Sequence, residues 1–553
     1  MKILRLLLCL LLTIGSLSAQ DDDLNAAALS HGGIDSCTAL FSLSPQSNIQ
    51  DWDLSADSYR RGAFLSESMP APPDSSSSTK QLSRAVLEYF ALMGYSQTKY
   101  WLTYGRWIED WHYELKWKDQ SRRFLTFEAW KFDSNNFILN WTHGLAGALY
   151  FNFARSNHLN KWESLLFGMA SSLYWEYIAE WRNVISINDN VMTTLGGLAL
   201  GEAWYQLGTY LQSQFRDSNL LTFLNPILKL NRWIDRTNQV DPPSYTLPGW
   251  HEIQFFFGAR DLKGDSDGWS RAQIKGGFHA QLIMPPEYGS VGRISRGSGK
   301  TLFSEIYADI SGNDFRYKEF NLAAKVVYLG YFEQELDPLQ NGYSYFVGLG
   351  SAFSVFKKRP VAFYDGGTVK VKRDFDLRLD ESRNFRDKLA AVHILGPVFD
   401  YTAFSSPWKI RLGMDAFLDF GLVNAFALNE YSENNDILGI KTTLFYYGYY
   451  HALGASLSSR LTVNCRNLEF KSVVLYQFYD SIEGADRFQE ELSNDFNLRD
   501  SRLRYFLSLG YFVPVLSIEL LVSYEGIDRR GTIRKIRAKE LENRLFMGLS
   551  YKF

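Results

Sequence analysis

The sequence predicts a membrane β-barrel of about twelve antiparallel strands, preceded by an α-helical domain of three packed helices. Three observations lead there. From Trp250 to Phe553 apolar residues recur with a period of two, whereas from Asn136 to Gln212 they recur at helical spacing. Aromatic residues make up 16% of the chain, with 40 Phe and 32 Tyr at a middling overall hydrophobicity; strands that show only every second residue to lipid leave this signature. Beyond the N-terminus no window supplies the roughly 18 uninterrupted apolar residues that a spanning helix needs.

The first residues carry Lys2 and Arg5, an apolar run from Leu6 to Ile14, and small residues at Ser16, Ser18 and Ala19. This is the plan of a secretory signal over residues 1–19, too short to span a bilayer. Cys9 is preceded by Leu8 where a lipoprotein signal needs a small residue, which argues against a lipid anchor. Residues 20–80 read as linker: the tract Met69 to Thr79 is mostly Pro and Ser and cannot bury a core. The formal net charge of −3 gives no basic excess for nucleic acid. Cys37 and Cys465 lie far apart and make no disulfide scaffold. No cofactor motif is present, and Gly366-Gly367 is a turn without a phosphate-cradling pattern.

The helical domain is expected over residues 81–215, with a connection at 216–249 and the barrel at 250–553. Gln81 to Met93 is roughly helical in period, and Tyr100 to Phe132, dense in Trp and in both charge signs, reads as irregular or extended. Three helices follow at about Asn136 to Ser156, Asn160 to Arg182 and Asp189 to Gln212. Asn160 and Glu163 form a capping-box pattern, and Ser186 can cap the third helix. Short connections make the helices antiparallel neighbours. Gly144, Gly147, Gly168, Gly197 and Gly201 would let their backbones approach closely.

Polar residues recur on these helices. Ser164, Gly168, Ser172, Glu176 and Glu180 step by four along one face. One reading is a hydrolytic constellation, with Ser164 or Ser172 as nucleophile, His143 as base and Glu176 or Glu180 orienting it. A metal site from His143, Glu176, Glu180 and Glu202 lacks diagnostic spacing. The structural alternative is a buried network of Asn140, Tyr150, Arg155, Asp189, Asn190 and Glu202 that fixes helix register. A further alternative is a gate facing the lumen. Asn140-Trp-Thr-His143, Tyr150, Ala154-Arg155, Trp175-Glu176 with Glu180, Ser186 with Asp189, and Gly196-Gly197 with Gly201-Glu202 together resemble a bacterial family known as domain of unknown function 3943, found in exported, outer-membrane-associated proteins. The resemblance covers roughly Phe127 to Gln212. Thr142-His143-Gly144 departs from the family's His-Pro pair. It implies an exported, membrane-associated protein and no particular reaction.

In the barrel, Ile410, Leu412, Met414, Ala416, Leu418, Phe420 and Leu422 alternate with Arg411, Gly413, Asp415, Phe417, Asp419 and Gly421. One face is wholly apolar and the other mixes charge with glycine, the lipid-out and lumen-in pattern of a transmembrane strand. Arg502, Arg504 and Glu519 belong to the same lumen set. The last strand ends on Tyr551 and Phe553, which resembles the terminal signal presented to the barrel assembly machinery. With Phe553 periplasmic, connections alternate short and long. The long ones include Gly526 to Glu540, Asp480 to Asp500, Asn429 to Leu438 and Lys357 to Lys388. The last of these carries the basic run Lys370 to Arg373, read as solvated charge. The expectation is therefore a barrel in the outer membrane of a Gram-negative-type bacterium, in contact with outer-membrane lipids, with the helices plugging or abutting its periplasmic mouth. Its role would be structural, or the passage of a small solute or lipid. The alternative is a membrane-embedded hydrolase of lipid or cell-wall material.

Overall fold

The computed structural model describes residues 80–103, 112–214, 225–235, 248–263, 272–313, 316–358, 387–437, 439–485 and 497–553. The signal, nearly all of the linker and the run Lys370 to Arg373 lie outside the described residues.

The chain enters on α1 (Leu82–Thr103), which continues well past Met93. Both of its faces are apolar: Ala85, Tyr89 and Met93 are buried, while Leu87, Phe90, Tyr95 and Leu102 are exposed. The helical period read over Gln81 to Met93 thus marks a real helix, and what it does not show is the continuation to Thr103. α2 (Trp117–Leu125) forms where irregular structure was expected, with Arg123 as its buried residue. After a two-residue strand, β1 (Trp130–Lys131), come α3 (Phe137–Ser156) and α4 (Lys161–Tyr174), the latter extended by a π-helical turn over Trp175–Ala179. The capping box of Asn160 and Glu163 is complete in both directions. β2 (Ile185–Ser186) pairs in parallel with β1. It is followed by α5 (Ile187–Val191), a second π-helical turn (Met192–Gly196), α6 (Gly197–Gln214) and α7 (Pro226–Ile234). Ser186 caps α5 through the Asp189 amide. Among the described residues the helical region therefore has four long helices and shorter ones, rather than three helices.

The three helices α3, α4 and α6 alternate in direction, as their short connections predict. A Cβ on Gly147 of α3 would fall 1.8 Å from the Thr193 carbonyl oxygen, and one on Gly197 would fall 2.5 Å from the Gly147 carbonyl carbon. Further along, Gly201 faces Phe151 in the same way, at 2.9 Å. These contacts run in step, so α3 and α6 are parallel, with α4 antiparallel to both. Gly168 has open space where a Cβ would go. Although Gly168 is buried, no neighbouring atom comes near enough for its missing Cβ to matter, so it does not serve close packing.

The remaining strands are β3 (Trp250–Lys263), β4 (Ala272–Ile283), β5 (Gly292–Ser298), β6 (Phe303–Asn313), β7 (Arg316–Leu336), β8 (Gly342–Lys358), β9 (Lys388–Ser405), β10 (Trp408–Asn424), β11 (Tyr449–Cys465), β12 (Leu468–Ser481), β13 (Leu498–Val513), β14 (Ile518–Ile533) and β15 (Ile536–Lys552). Pairing of β15 with β3 and of β7 with β8 closes a ring of twelve antiparallel strands, with β5 as an added strand on β7. Mutual backbone bonds of 3.0 Å between Ile253 and Phe553 complete the seam. The connection expected to be long at Gly526 to Glu540 is instead a tight hairpin. β14 and β15 stay paired up to Ile533 and Ile536, and Arg534 takes the left-handed conformation (φ 52°) that so short a turn demands. The β10–β11 connection is folded, and carries α8 (Leu428–Ser432) and α9 (Thr442–Tyr447). Leu428, Tyr431 and Leu444 pack with Tyr450, Tyr479, Leu498 and Ile533, so this segment caps the barrel end far from Phe553.

Ion pairs across the ring, such as Arg460 of β11 with Glu305 of β6 at 2.8 Å and Lys325 of β7 with Asp415 of β10 at 2.9 Å, identify the lumen face of each strand. The helices touch the opposite face. Phe132 stacks on Phe420 and His451, Trp141 lies against Phe320, and Asn140 donates to the Tyr449 hydroxyl at 2.8 Å. Lower down, Lys161 donates to the Gly299 carbonyl at 2.8 Å and to that of Tyr328, and Tyr210 meets the His251 ring. The helical bundle thus lies along the outer wall of the barrel. It neither plugs the lumen nor sits beneath the mouth, because the outward side chains of β7 to β11 at this level are mostly apolar or aromatic and packed against it. These packing roles predict that Gly147→Val destabilises the protein by at least the 1–3 kcal/mol usual for overpacking. Gly168→Ala should be neutral or stabilising by about 0.5–1 kcal/mol. Urea unfolding of the two variants in matched lipid vesicles checks both.

Candidate functional sites in the bundle and the lumen

Most of the polar residues singled out in the bundle fall in two networks. The first is built where α2, α4 and the β1–β2 pair meet. Arg123, fully buried, donates to the carbonyl oxygens of Glu176 (2.7 Å), Trp181 (2.8 Å), Asn183 (3.0 Å), Tyr177 (3.2 Å) and Glu180 (3.2 Å). It satisfies the carbonyls that the end of a helix leaves open. The Glu176 carboxylate accepts from the Ser186 amide at 2.8 Å, and that of Glu180 from Trp175 Nε1 and Asn183 Nδ2, both at 3.1 Å. Asp133 accepts from Asn188 at 2.9 Å and Asn140 at 3.2 Å, and Asn188 also donates to Asp189 at 3.0 Å. His143 Nδ1 lies 2.8 Å from the Leu139 carbonyl and 3.3 Å from Asp189 Oδ1. Both neighbours are acceptors, so Nδ1 carries the proton.

The second network lies nearer the other end of α3. Glu202, fully buried, accepts from Arg155 Nε (2.9 Å), Gln206 (2.7 Å) and Thr301 (2.9 Å), tying α3 and α6 to the lead-in of β6. Tyr150 belongs to neither network. It packs edge-on to Tyr89 at 5.6 Å within an aromatic cluster.

No hydrogen bond joins His143 to Ser164, Ser172, Glu176 or Glu180, although both glutamates share its network. Ser164 donates to the Asn160 carbonyl at 2.9 Å and Ser172 to Asn190 at 3.0 Å, while the polar contacts of His143 are with Leu139 and Asp189. Glu202 sits in the other network from His143. Among the described residues, no group of three or more His, Cys, Asp or Glu is arranged to hold a metal ion. Asp133, Asn188 and Arg123 were not anticipated: the first two stand in runs that read as loop and cap, and Arg123 stands in a stretch without a clear period.

The lumen carries the other site. Arg411, Asp415 and Arg504, expected there from the alternation, line a cavity of about 410 Å³ together with Lys275, Glu305 and Lys325. Arg411 pairs with Asp400 at 2.9 Å, and Glu305 with both Arg460 (2.8 Å) and His279 (2.9 Å). Glu519 and Lys552 pair at 3.1 Å toward the Phe553 end. Toward the far end a layer of buried ion pairs crosses the barrel. Arg260 of β3 meets Glu319 of β7 at 2.8 Å, Arg544 of β15 meets Glu319 and Glu525 at 3.3 Å, Lys358 of β8 meets Glu542 of β15 at 2.6 Å, and Arg502 and Arg529 both meet Asp387.

Between this layer and the cavity, Ser354, His393 and Asp419 line up across β8, β9 and β10. Ser354 Oγ is 3.0 Å from His393 Nε2, and His393 Nδ1 is 2.7 Å from Asp419 Oδ1. Ser456 lies 3.0 Å from His393 Nδ1 and 3.2 Å from Asp419, and the Tyr479 hydroxyl donates to Asp419 at 3.2 Å. Ser354, His393 and Ser456 all border the cavity. The register explains how His393 comes to face inward. On β9 the even positions Val398 and Asp400 face the lumen, but Leu418 pairs with Leu395 and Asp419 with His393, so Ile394 is left over as a bulge and the odd positions face inward beyond it. The one trace of this in the sequence is Gly396-Pro397 inside an otherwise apolar strand.

A closed antiparallel ring with charge inside and apolar side chains outside is the form in which strands cross an outer membrane, since closure leaves no unpaired edge in lipid. The chain is in this sense a Gram-negative-type outer-membrane β-barrel protein. No curated protein matches the chain. Among solved structures, the NanC porin is similar at 10% identity, over 55% of this chain and 100% of that one, with a TM-score of 0.25. OmpT of Vibrio cholerae matches at 8% identity over 55% and 97% (TM-score 0.21), and an outer membrane channel from Pseudomonas putida F1 at 12% over 57% and 100% (TM-score 0.21). At these values the likenesses add nothing to what the strand pairing shows. Residues 129–227, the core of the helical bundle, match the model of domain of unknown function 3943.

Proposed function

We propose that the protein is a channel-type outer-membrane barrel whose lumen holds a small polar solute, with the ion-pair layer as its gate. The observation that carries this reading is the cavity of about 410 Å³, lined by charges of both signs inside a closed ring. Balanced charge suits a neutral or zwitterionic solute better than a simple anion or cation. The gate is costly to break one partner at a time, because a buried ion left alone is strongly destabilised. In the same reading residues 1–19 direct export, and the strand ending in Tyr551 and Phe553 is what the barrel assembly machinery reads. Planar-bilayer recording of the full-length protein tests the gate. The wild type should conduct weakly and the double variant Arg260→Ala/Arg544→Ala several-fold more. Equal conductance in two correctly folded proteins would sink the gate.

The bundle shares the bilayer with the barrel in this reading. α3 is about 30 Å long at 1.5 Å per residue, close to the thickness of a hydrocarbon core. It runs along the wall from Tyr449, through Asn140, to the Glu202–Thr301 contact, through Arg155. Within α3, α4 and the turn that extends α4, every exposed residue is apolar: Leu139, Leu149, Trp162, Leu166, Met169, Ala170 and Ile178. Two amphipathic helices with exposed tryptophans, Trp117 of α2 and Trp233 of α7, mark opposite ends. Arg84 near the start of α1 reaches Asp235 beside α7, and Trp101 near its end reaches the Ala179 carbonyl beside Arg123. Aromatic residues at both ends of an apolar band are the usual pattern at a membrane's two interfaces. Spin labels at Leu87 and Leu166 in lipid vesicles should be reached by oxygen and shielded from a water-soluble nickel chelate, as a label at Leu507 on the barrel belt is. Labels that behave like one at Arg534 in the hairpin tip would contradict it.

A further inference from the structure

We infer that Ser354, His393 and Asp419 form a hydrolytic triad that cleaves small esters within the lumen; the inference rests on the reading of the lumen as a chamber open to small solutes. Geometry and role identify such a triad, independent of sequence order. The two contacts needed are present in series along adjacent strands: hydroxyl to Nε2 at 3.0 Å, and Nδ1 to carboxylate at 2.7 Å. Asp419 is fully enclosed and His393 nearly so, while Ser354 is half-buried and borders the cavity. That is the gradient of access a nucleophile, its base and the orienting acid require. The bulge at Ile394 supplies an independent observation. Without it His393 would face the outer wall, the side on which its neighbour Val392 now packs against the bundle; bulges re-aim side chains in this way beside active sites.

The chemistry needs only water as co-reactant. Ser354 Oγ attacks the ester carbonyl carbon while its proton passes to His393 Nε2, and Asp419 holds the resulting imidazolium through Nδ1–H. The tetrahedral intermediate collapses, the carbon–oxygen bond to the alcohol breaks, and the leaving alkoxide takes the proton from His393. Water then attacks the acyl group on Ser354 with the same base, releasing the carboxylic acid and restoring the serine. Lys325 is the cation nearest in register to the developing oxyanion: it pairs with Ala352, one inward position from Ser354, and its ammonium faces the same cavity. The cavity is small and lined with paired charge, which fits a short-chain ester of a polar alcohol and excludes a whole phospholipid.

The test uses full-length protein in lipid vesicles, diisopropyl fluorophosphate as probe and intact-mass detection. Attack by Ser354 on phosphorus expels fluoride and leaves a stable phosphoryl adduct. One adduct is expected on the wild type and on Ser164→Ala and Ser172→Ala, none on Ser354→Ala, and at least a hundred-fold slower labelling of His393→Gln. Hydrolysis of p-nitrophenyl acetate should follow the same order. In a Cys37→Ser/Cys465→Ser background, modification of Ser354→Cys by a small methanethiosulfonate reports access separately. If Ser354→Cys reacts and the wild type takes no adduct, the triad is inert and the inference is overturned while the chamber stands. If neither reacts, the chamber itself is closed to solutes and both readings fall.

Discussion

Phe353 is the contact on which the architecture depends. It points outward from β8, is fully buried, and fits a notch cut by two glycines: a Cβ on Gly144 would lie 2.7 Å from its ring and one on Gly196 would lie 3.0 Å away. A side chain at either position would hold α3, or the turn before α6, off the wall. With both absent, a bundle of helices can lie flat along a barrel whose outward residues would otherwise meet lipid. The same alternation that turns Phe353 out turns Ser354 in. Adjacent positions of one strand therefore serve the docking of the bundle and the lumen site.

The lumen is held together by charge and not by an apolar core. Buried ion pairs add little net stability over apolar packing of the same shape, because desolvation offsets the attraction. What they confer here is a fixed arrangement: Glu319 can be satisfied only with Arg260 and Arg544 in place, which binds β3, β7 and β15 into one geometry. The bundle uses the same logic at Arg123, whose planar fork matches the cluster of carbonyls at the end of α4 in a way that a lysine could not.

Much of the fold was legible in the sequence, for a definite reason. A barrel strand in a bilayer must alternate, so Ile410 to Leu422 declared both faces, and that alternation alone assigns Arg411 and Asp415 to the lumen, where both line the cavity. The capping residues Asn160 and Ser186 were equally plain. What escaped was anything that required two-sided or long-range information. α1 was legible over Gln81 to Met93, but its continuation to Thr103 was not. The Ile533–Ile536 hairpin was hidden because β14 and β15 stay paired through residues as polar as Asp528, Arg530 and Lys539. The helical His and Glu residues drew notice because polar groups in apolar helices are conspicuous, yet they satisfy carbonyls and amides there. Ser354 and His393 stood in ordinary strand sequence, and only the Ile394 bulge puts His393 on the same face as Asp419.

The bundle packs on the outer wall of a closed barrel. The most direct test is residue-resolved photo-cross-linking from a benzophenone side chain at position 141, where Trp141 lies 5.9 Å from Phe320 by ring centroids. Adducts are expected on outward positions of β7, Phe320 and Leu322. Adducts on the lumen-facing neighbours Glu319 and Asn321 would place the helices inside the barrel and contradict that packing.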